Sequence, residues 1–281
     1  MVACDAGDTA LYLDPFYATY PGTLRGVGAI PKAIQTRVED AFQPRAGDID
    51  ACAAGAKSLQ INTPNNPTGT VYSRETLEGI ADVCKAHDLW LISDEVYDTQ
   101  VWDGEHISPR ALPNMAQRTL VVGSMSKSHA MTGSRCGWVV GPAEVIESLI
   151  NLATHTTYGV AGFIQDASDF ALNQGPAFEE DIAAPFRRRR ALGQKILEHQ
   201  SSVGLIPAQG AMYMMLDIRA TGMSGEAFAY ALLEAHHIAV MPGESFGAAA
   251  AGHIRVAMTI EDGAFVQALE TLCEFADTLI V

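Results

Sequence analysis

Positive charge is scarce in this 281-residue chain: 18 Lys and Arg stand against 33 Asp and Glu, a net charge of −15. A field of that sign repels phosphate, which excludes general binding to nucleic acids or anionic membranes. Long apolar runs are missing as well. Stretches such as Leu89–Ile92 fall far short of the ~20 residues that a membrane helix needs. The opening MVACDAGDTALYL has no basic start followed by an apolar stretch, so no signal peptide is read there. Five scattered cysteines (Cys4, Cys52, Cys84, Cys136, Cys273) include no C-x-x-C pair. Their odd number argues against a disulfide framework or a zinc site and for reduced thiols in a cytoplasm. Neither a P-loop nor a Rossmann glycine pattern occurs, which removes nucleotide binding. His236 and His237 adjoin rather than stand four apart, so no metal site is expected.

With 48% hydrophobic and 18% charged residues, what remains is a globular chain of one large or two smaller domains. Short apolar runs alternate with longer amphipathic stretches, the pattern of α/β architecture. Ala10–Leu13, Ser58–Asn62, Leu89–Ser93 and Thr119–Val122 read as strands. Ser73 is placed to cap a helix over Glu75–His87, whose Leu77, Ile80, Ala81 and Cys84 follow the spacing of one buried face. A helix followed by an apolar strand is half of a crossover, so a mostly parallel sheet is expected. Ligands then sit beyond the strands' C-terminal ends, where Asn66, Asp94 and Gly123 fall.

From Glu144 onward helical patterns dominate. A long helix from Phe178 to about Gln200 is expected to break or begin near Pro185. Strands at Met212–Ile218 and Ile254–Met258 alternate with helices at Ser224–His236 and Asp262–Leu279. This separate αβ pattern places a division near residue 185, giving domains of 1–185 and 186–281. Arg187–Arg190 point in different directions on a helix and are expected to pair with Glu179, Glu180 and other carboxylates. Met212, Met214 and Met215 read as core filling in a strand. His129 either lines the site or lies at the surface.

Four fragments carry chemistry. In Asn65-Asn66-Pro67-Thr68-Gly69, Pro67 restricts its predecessor and Gly69 permits a tight turn, presenting the Asn66 amide at the sheet edge. In Ser93-Asp94-Glu95-Val96-Tyr97, an aspartate ends an apolar strand and needs a partner to stay ionised. Ser124-Met125-Ser126-Lys127 sets a lysine just past a strand end beside two hydroxyls, an arrangement suited to a Schiff-base amine near an anion. Arg135, between Gly133 and Gly137, offers a planar fork for phosphate. Arg255, in the fragment His253–Met258, needs an anionic partner, either a structural carboxylate or a substrate's.

The order Asn66-Pro67-Thr68-Gly69, Asp94 and Tyr97, Ser124-x-Ser126-Lys127, Gly133-x-Arg135-x-Gly137, then Arg255 resembles the class I/II aminotransferases. These are pyridoxal 5′-phosphate (PLP) enzymes of fold type I. The resemblance implies a large PLP-binding domain with a mostly parallel sheet and a smaller α/β C-terminal domain. It further implies Lys127 as the catalytic, Schiff-base-forming lysine and Asp94 as partner of the pyridine nitrogen. Tyr97 and Asn66 would meet the phenolic oxygen, while Ser124, Ser126 and Arg135 hold the phosphate. Tyr17 would stack on the cofactor ring, and Arg255, with Asn66, would bind the substrate carboxylate. Implied partners are an L-amino acid and a 2-oxo acid, with a second copy of the chain in a homodimer.

The family also carries an N-terminal segment before the stretch matching Ala3–Asp8, with no equivalent here, so a truncated chain is expected. Segments such as FRRRR at 186–190 and AGHIR at 251–255 look similar to arginine–pyruvate aminotransferases. A carbon–sulfur β-lyase of the same fold, or a non-catalytic remnant, stands as the alternative.

Overall fold

The computed structural model describes residues 1–280. Its first sheet has six strands: β1 (Thr9–Asp14), β2 (Ile30–Gln35), β3 (Ala56–Asn62), β4 (Trp90–Asp94), β5 (Thr119–Ser124) and β6 (Gly137–Val140). They lie in the order β2-β1-β3-β4-β5-β6. The first five are mutually parallel, and β6 runs antiparallel to β5. The expected parallel sheet is therefore present. Two of its strands, β2 and β6, lie outside the segments read as strands from sequence.

Helices α1 (Tyr20–Gly26), α2 (Ala46–Ala53) and α3 (Arg74–Ala86) belong to the crossovers of this sheet. Helix α3 starts where Ser73 Oγ accepts the Thr76 N–H at 3.1 Å. Its Leu77, Ile80, Ala81 and Cys84 are buried in the main core with Leu11, Leu59, Ile61 and Leu91 of the strands. That is the stripe the i, i+3, i+4, i+7 spacing predicts.

The short α4 (Met125–Ser128) follows β5, and α5 (Ala143–Thr154) and α6 (Gly162–Leu172) follow β6. The 22-residue α7 (Pro176–Leu197) passes through Pro185 without a break. This corrects the expectation of an interruption there. Ala183, Gly193 and Leu197 are buried along it, and α7 lies against α9 (Asp262–Asp277). A Cβ on Gly193 would sit 2.8 Å from Met214 Sδ, so that glycine allows the helix to seat closely. Packing outweighs the one backbone hydrogen bond a proline forfeits.

The second sheet is antiparallel, β7 (Gly204–Leu205), β8 (Tyr213–Asp217), β10 (His253–Ala257) and β9 (Met241–Pro242) in that order. Helices α8 (Gly225–His236) and α9 complete its own core around Met214, Leu216, Phe228, Ile254 and Phe265. The four arginines of α7 are all engaged, as expected, though on a wider set of acids. Arg187 meets Glu180, Arg188 and Arg189 share Asp262, and Arg190 reaches Asp103. No described helix is long and apolar enough to cross a membrane.

Asp14, the last residue of β1, fastens the first sheet to the turn that precedes β10. Its carboxylate accepts the backbone N–H groups of Ala248 and Ala249 at 3.0 and 3.2 Å. A Cβ on Gly247 (φ +121°) would stand 2.0 Å from Asp14 Oδ1, so glycine is required there. Burial pushes the Asp14 carboxyl up to about 6, against the pull of those N–H donors. A carboxyl raised on folding keeps a proton that the unfolded chain has released, so its contribution falls as pH rises from about 4 to 6. Asp14→Asn cannot ionise. Its stability relative to the parent is expected to improve by about 2 kcal/mol between pH 4 and pH 7, read by urea unfolding at both. An unchanged difference between the two pH values would refute that assignment.

Candidate active site

The parallel register lines up the C-terminal strand ends. Asn62 of β3 pairs with Asp94 of β4, and Ser124 of β5 with Gly137 of β6. Loops leaving these ends enclose a cavity of about 320 Å³. Eight residues singled out from sequence face it: Tyr17, Asn66, Asp94, Tyr97, Ser124, Ser126, Lys127 and Arg135. Arg255 comes from the second sheet and joins them through Asn66.

Asp94 forms the floor. Its Oδ2 accepts the Tyr20 hydroxyl at 2.5 Å and its Oδ1 the Val96 N–H at 3.3 Å. Asn62 Nδ2 donates to the Asp94 carbonyl at 3.0 Å, fixing the strand end. Burial raises the Asp94 carboxyl above its usual range, and these donors only partly offset that. Such a group favours a cationic partner. Burial likewise raises the Tyr20 phenol well above normal, with the Asp94 charge adding to it, so Tyr20 stays a donor.

The Asn65–Gly69 turn is built as its residues dictate. Asn65 Oδ1 accepts from the Thr68 N–H and hydroxyl, and Asn62 Oδ1 from the Asn66 N–H at 2.8 Å. Gly69 has φ +73°, and a Cβ there would approach Ala208 Cβ to 2.8 Å. The turn leaves Asn66 Oδ1 to accept from Arg255 Nη1 at 2.8 Å.

Arg255 lies between two aromatic rings, 4.2 Å from the Tyr213 centroid and 4.7 Å from that of Phe246. Its Nε is buried without a hydrogen-bond partner. Burial pulls the guanidinium below its usual range, with nearby phenols opposing. No carboxylate pairs with it among the described residues, so of the two readings open from sequence the structural ion pair is not the one found.

Lys127 sits on α4, whose Ser124 cap accepts the Ser126 N–H at 3.1 Å. Its Nζ stands 5.8 Å from the centre of the buried Tyr97 ring. Buried Met125 and Ser128 anchor the turn beneath it. Arg135 adopts a left-handed backbone (φ 52°) and points along the rim, with Nη1 on the Thr132 carbonyl at 2.9 Å. Of its flanking glycines, Gly133 has open space around it. Gly137 is needed because a Cβ there would meet the Gly123 carbonyl at 2.6 Å. Strand contact with β5 thus explains that glycine.

Tyr17 is 41% exposed at the mouth, edge-on to Tyr20. His129 is neither lining nor exposed. It is buried, with Nδ1 2.8 Å from Ser128 Oγ and its ring beside Phe178. No cluster of metal-ligating side chains exists among the described residues. Sequence reasoning missed Tyr20, Asn62 and Tyr213. Tyr20 stands three residues past Tyr17, and Tyr213 carries the lone hydroxyl in an apolar strand; both were available signals.

Residues 1–272 match the family "Aminotransferase class I and II". Among curated proteins, an arginine–pyruvate transaminase of Pseudomonas aeruginosa is 43% identical over 255 residues, covering 90% of this chain and 65% of its own. An aspartate/prephenate aminotransferase of Thermus thermophilus is 36% identical, covering 95% and 69%. The solved structure of the Thermus thermophilus aspartate aminotransferase with maleate superposes with a TM-score of 0.91 at 33% identity, covering 97% and 71%. An aromatic aminotransferase from Pyrococcus horikoshii gives 0.95 at 30% identity, covering 99% and 76%. The chain thus spans about two thirds of the length of the curated relatives it matches. It belongs to the class I and II aminotransferases, a family that works with PLP, and has their α/β fold.

Proposed function

We propose that this chain carries the catalytic core of a PLP-dependent aminotransferase, moving the amino group of an L-amino acid such as arginine to a 2-oxo acid such as pyruvate. The observation that carries the reading is one cavity lined by a lysine amine with no hydrogen-bond or ion-pair partner among the described residues and a buried carboxylate at the strand ends, with the desolvated Arg255 bonded to Asn66 in its wall. The residues fit the cofactor. Asp94 would hold the proton on its pyridine nitrogen, and Tyr97 and Asn66 would face its phenolic oxygen. Ser124, Ser126 and Arg135, which line the same cavity, would supply hydroxyl and guanidinium donors for its phosphate. Tyr17 would cover its ring. When bound, PLP supplies an electron sink for the pair released as the substrate Cα–H bond breaks.

Lys127 Nζ would hold the proton taken from the substrate and release it again, acting as general base and then acid. Arg255 grips the carboxylate of amino acid and 2-oxo acid alike, so one clamp serves both half-reactions. The arginine preference rests on the Pseudomonas relative. We also place the boundary between a larger and a smaller domain near residue 185, within α7, and read the working form as a cytoplasmic homodimer.

The test is a visible absorbance spectrum of the purified chain with PLP, before and after L-arginine, then pyruvate. A band that bleaches with the amino acid and returns with pyruvate, with one alanine formed per arginine consumed, is the expected result. Failure to form a band, or release of ammonia in place of alanine, would refute the assignment.

A further inference from the structure

We infer that Tyr213 is a positioning residue that joins the carboxylate clamp to the cofactor edge of the site. The inference rests on the aminotransferase reading. Tyr213 pairs with Ala257 across the β8–β10 ladder, and Arg255 lies two residues before Ala257 on the same face. A diagonal neighbour at that offset is within reach of an aromatic and a long side chain. The Arg255 guanidinium accordingly lies 4.2 Å over the Tyr213 ring. At its other end, the Tyr213 hydroxyl is 3.3 Å from that of Tyr97, with the two rings edge to face at 6.0 Å. One side chain of the second sheet therefore touches both a residue in the turn that follows β4 and the arginine that would take the substrate.

Each contact has a separate consequence. The ring limits the guanidinium to one plane and keeps water from one face, while Asn66 Oδ1 fixes one nitrogen. The edge bearing the unpartnered Nε then remains for a carboxylate, which needs two parallel N–H groups. A pair of hydroxyls can run in either direction. Tyr213 accepts the Tyr97 proton in the free site and donates instead when an anionic oxygen takes that proton. Burial raises the Tyr97 phenol above its usual range, which keeps it protonated and able to donate. The Tyr97 donor would thus be strengthened by Tyr213 behind it.

Two substitutions separate the contacts. Tyr213→Phe keeps the ring and deletes the hydroxyl; Tyr213→Leu deletes the ring. Pyruvate binding to the cofactor-free protein is followed through the Arg255 Nε–H signal by NMR. Tyr213→Phe is expected to match the parent within about twofold, and Tyr213→Leu to bind about tenfold more weakly. In PLP-loaded protein, the pH at which the visible band titrates is expected to rise by about half a unit or more in Tyr213→Phe. That variant should lose kcat with little change in KM, whereas Tyr213→Leu should raise KM.

A folded Tyr213→Leu that binds pyruvate as the parent does would overturn the clamp role. An unmoved titration in Tyr213→Phe would overturn the hydroxyl role. Tyr213→Met, also without a ring, repeats the first arm if the leucine variant does not fold. Parent protein without a visible band would refute the aminotransferase reading alone, because the pyruvate titration needs no cofactor. Parent protein whose Arg255 signal ignores pyruvate would overturn the inference itself.

Discussion

Lys127→Ala is expected to lower the rate of amino transfer by on the order of 10⁴-fold or more, while leaving the fold almost untouched. The two halves of this expectation have different sources. The Lys127 side chain forms no hydrogen bond or ion pair among the described residues, and α4 is held by Met125, Ser128 and the Ser124 cap. A truncation of that kind costs about 0.5 kcal/mol or less. The chemistry, by contrast, loses its nucleophile and its proton carrier together. Single-turnover kinetics with arginine, alongside thermal unfolding, measure both halves. Partial return of the rate with a small primary amine such as methylamine is expected, since the cavity vacated by the butylamine chain admits it. Retention of a tenth of the parental rate would move the catalytic role away from Lys127.

Asp94→Ala is expected to weaken PLP binding by a few hundredfold, about 3–4 kcal/mol, the range for removing one member of a buried charge pair. The carboxyl is raised by its own burial, which means the site disfavours a lone negative charge and favours one matched by a pyridinium. Because the carboxyl must ionise to make that match, affinity for PLP should climb with pH through the range in which Asp94 loses its proton. Asp94→Asn keeps the shape and a carbonyl acceptor for the Tyr20 hydroxyl but not the charge, so it should lose the pH dependence and most of the affinity. Quenching of protein fluorescence by added PLP across pH reads both quantities. An asparagine variant that binds as tightly as the parent would show that charge is not what Asp94 contributes.

The parts of the fold that were legible from sequence are those where local chemistry and tertiary packing agree. Ser73 capped α3 and its four apolar positions were buried as spaced, because a strong N-cap and a one-sided stripe leave a helix few alternatives. Strand β2 escaped detection since Pro31, Lys32 and Gln35 break any alternation, as an outermost strand tolerates. Strand β6 was hidden by its own glycine, which looked like part of an anion loop and instead serves the crossing with Gly123. In the site, residues carried by ordered motifs were legible. Tyr20 and Tyr213 act by reaching across the fold, to partners 74 and 116 residues away, and nothing in their immediate neighbourhood states that distance.

The turn of four arginines in α7 has a consequence for how this segment tolerates change. Arg187 and Arg190 grasp Glu180, Asp103 and the Trp102 ring on one side, and Arg188 with Arg189 holds Asp262 on the other. The exposed attachments of Arg187 and Arg188 are individually weak, at most about 1 kcal/mol, whereas Arg189 and Arg190 are largely buried and also donate to the Met258 and Ala208 carbonyls. The shared hold makes the exposed Arg188 dispensable, and the burden of fidelity falls on Asp262, which it shares with Arg189. Drift should therefore be freer at the exposed Arg187 and Arg188 than at Asp262 or the buried Arg189 and Arg190.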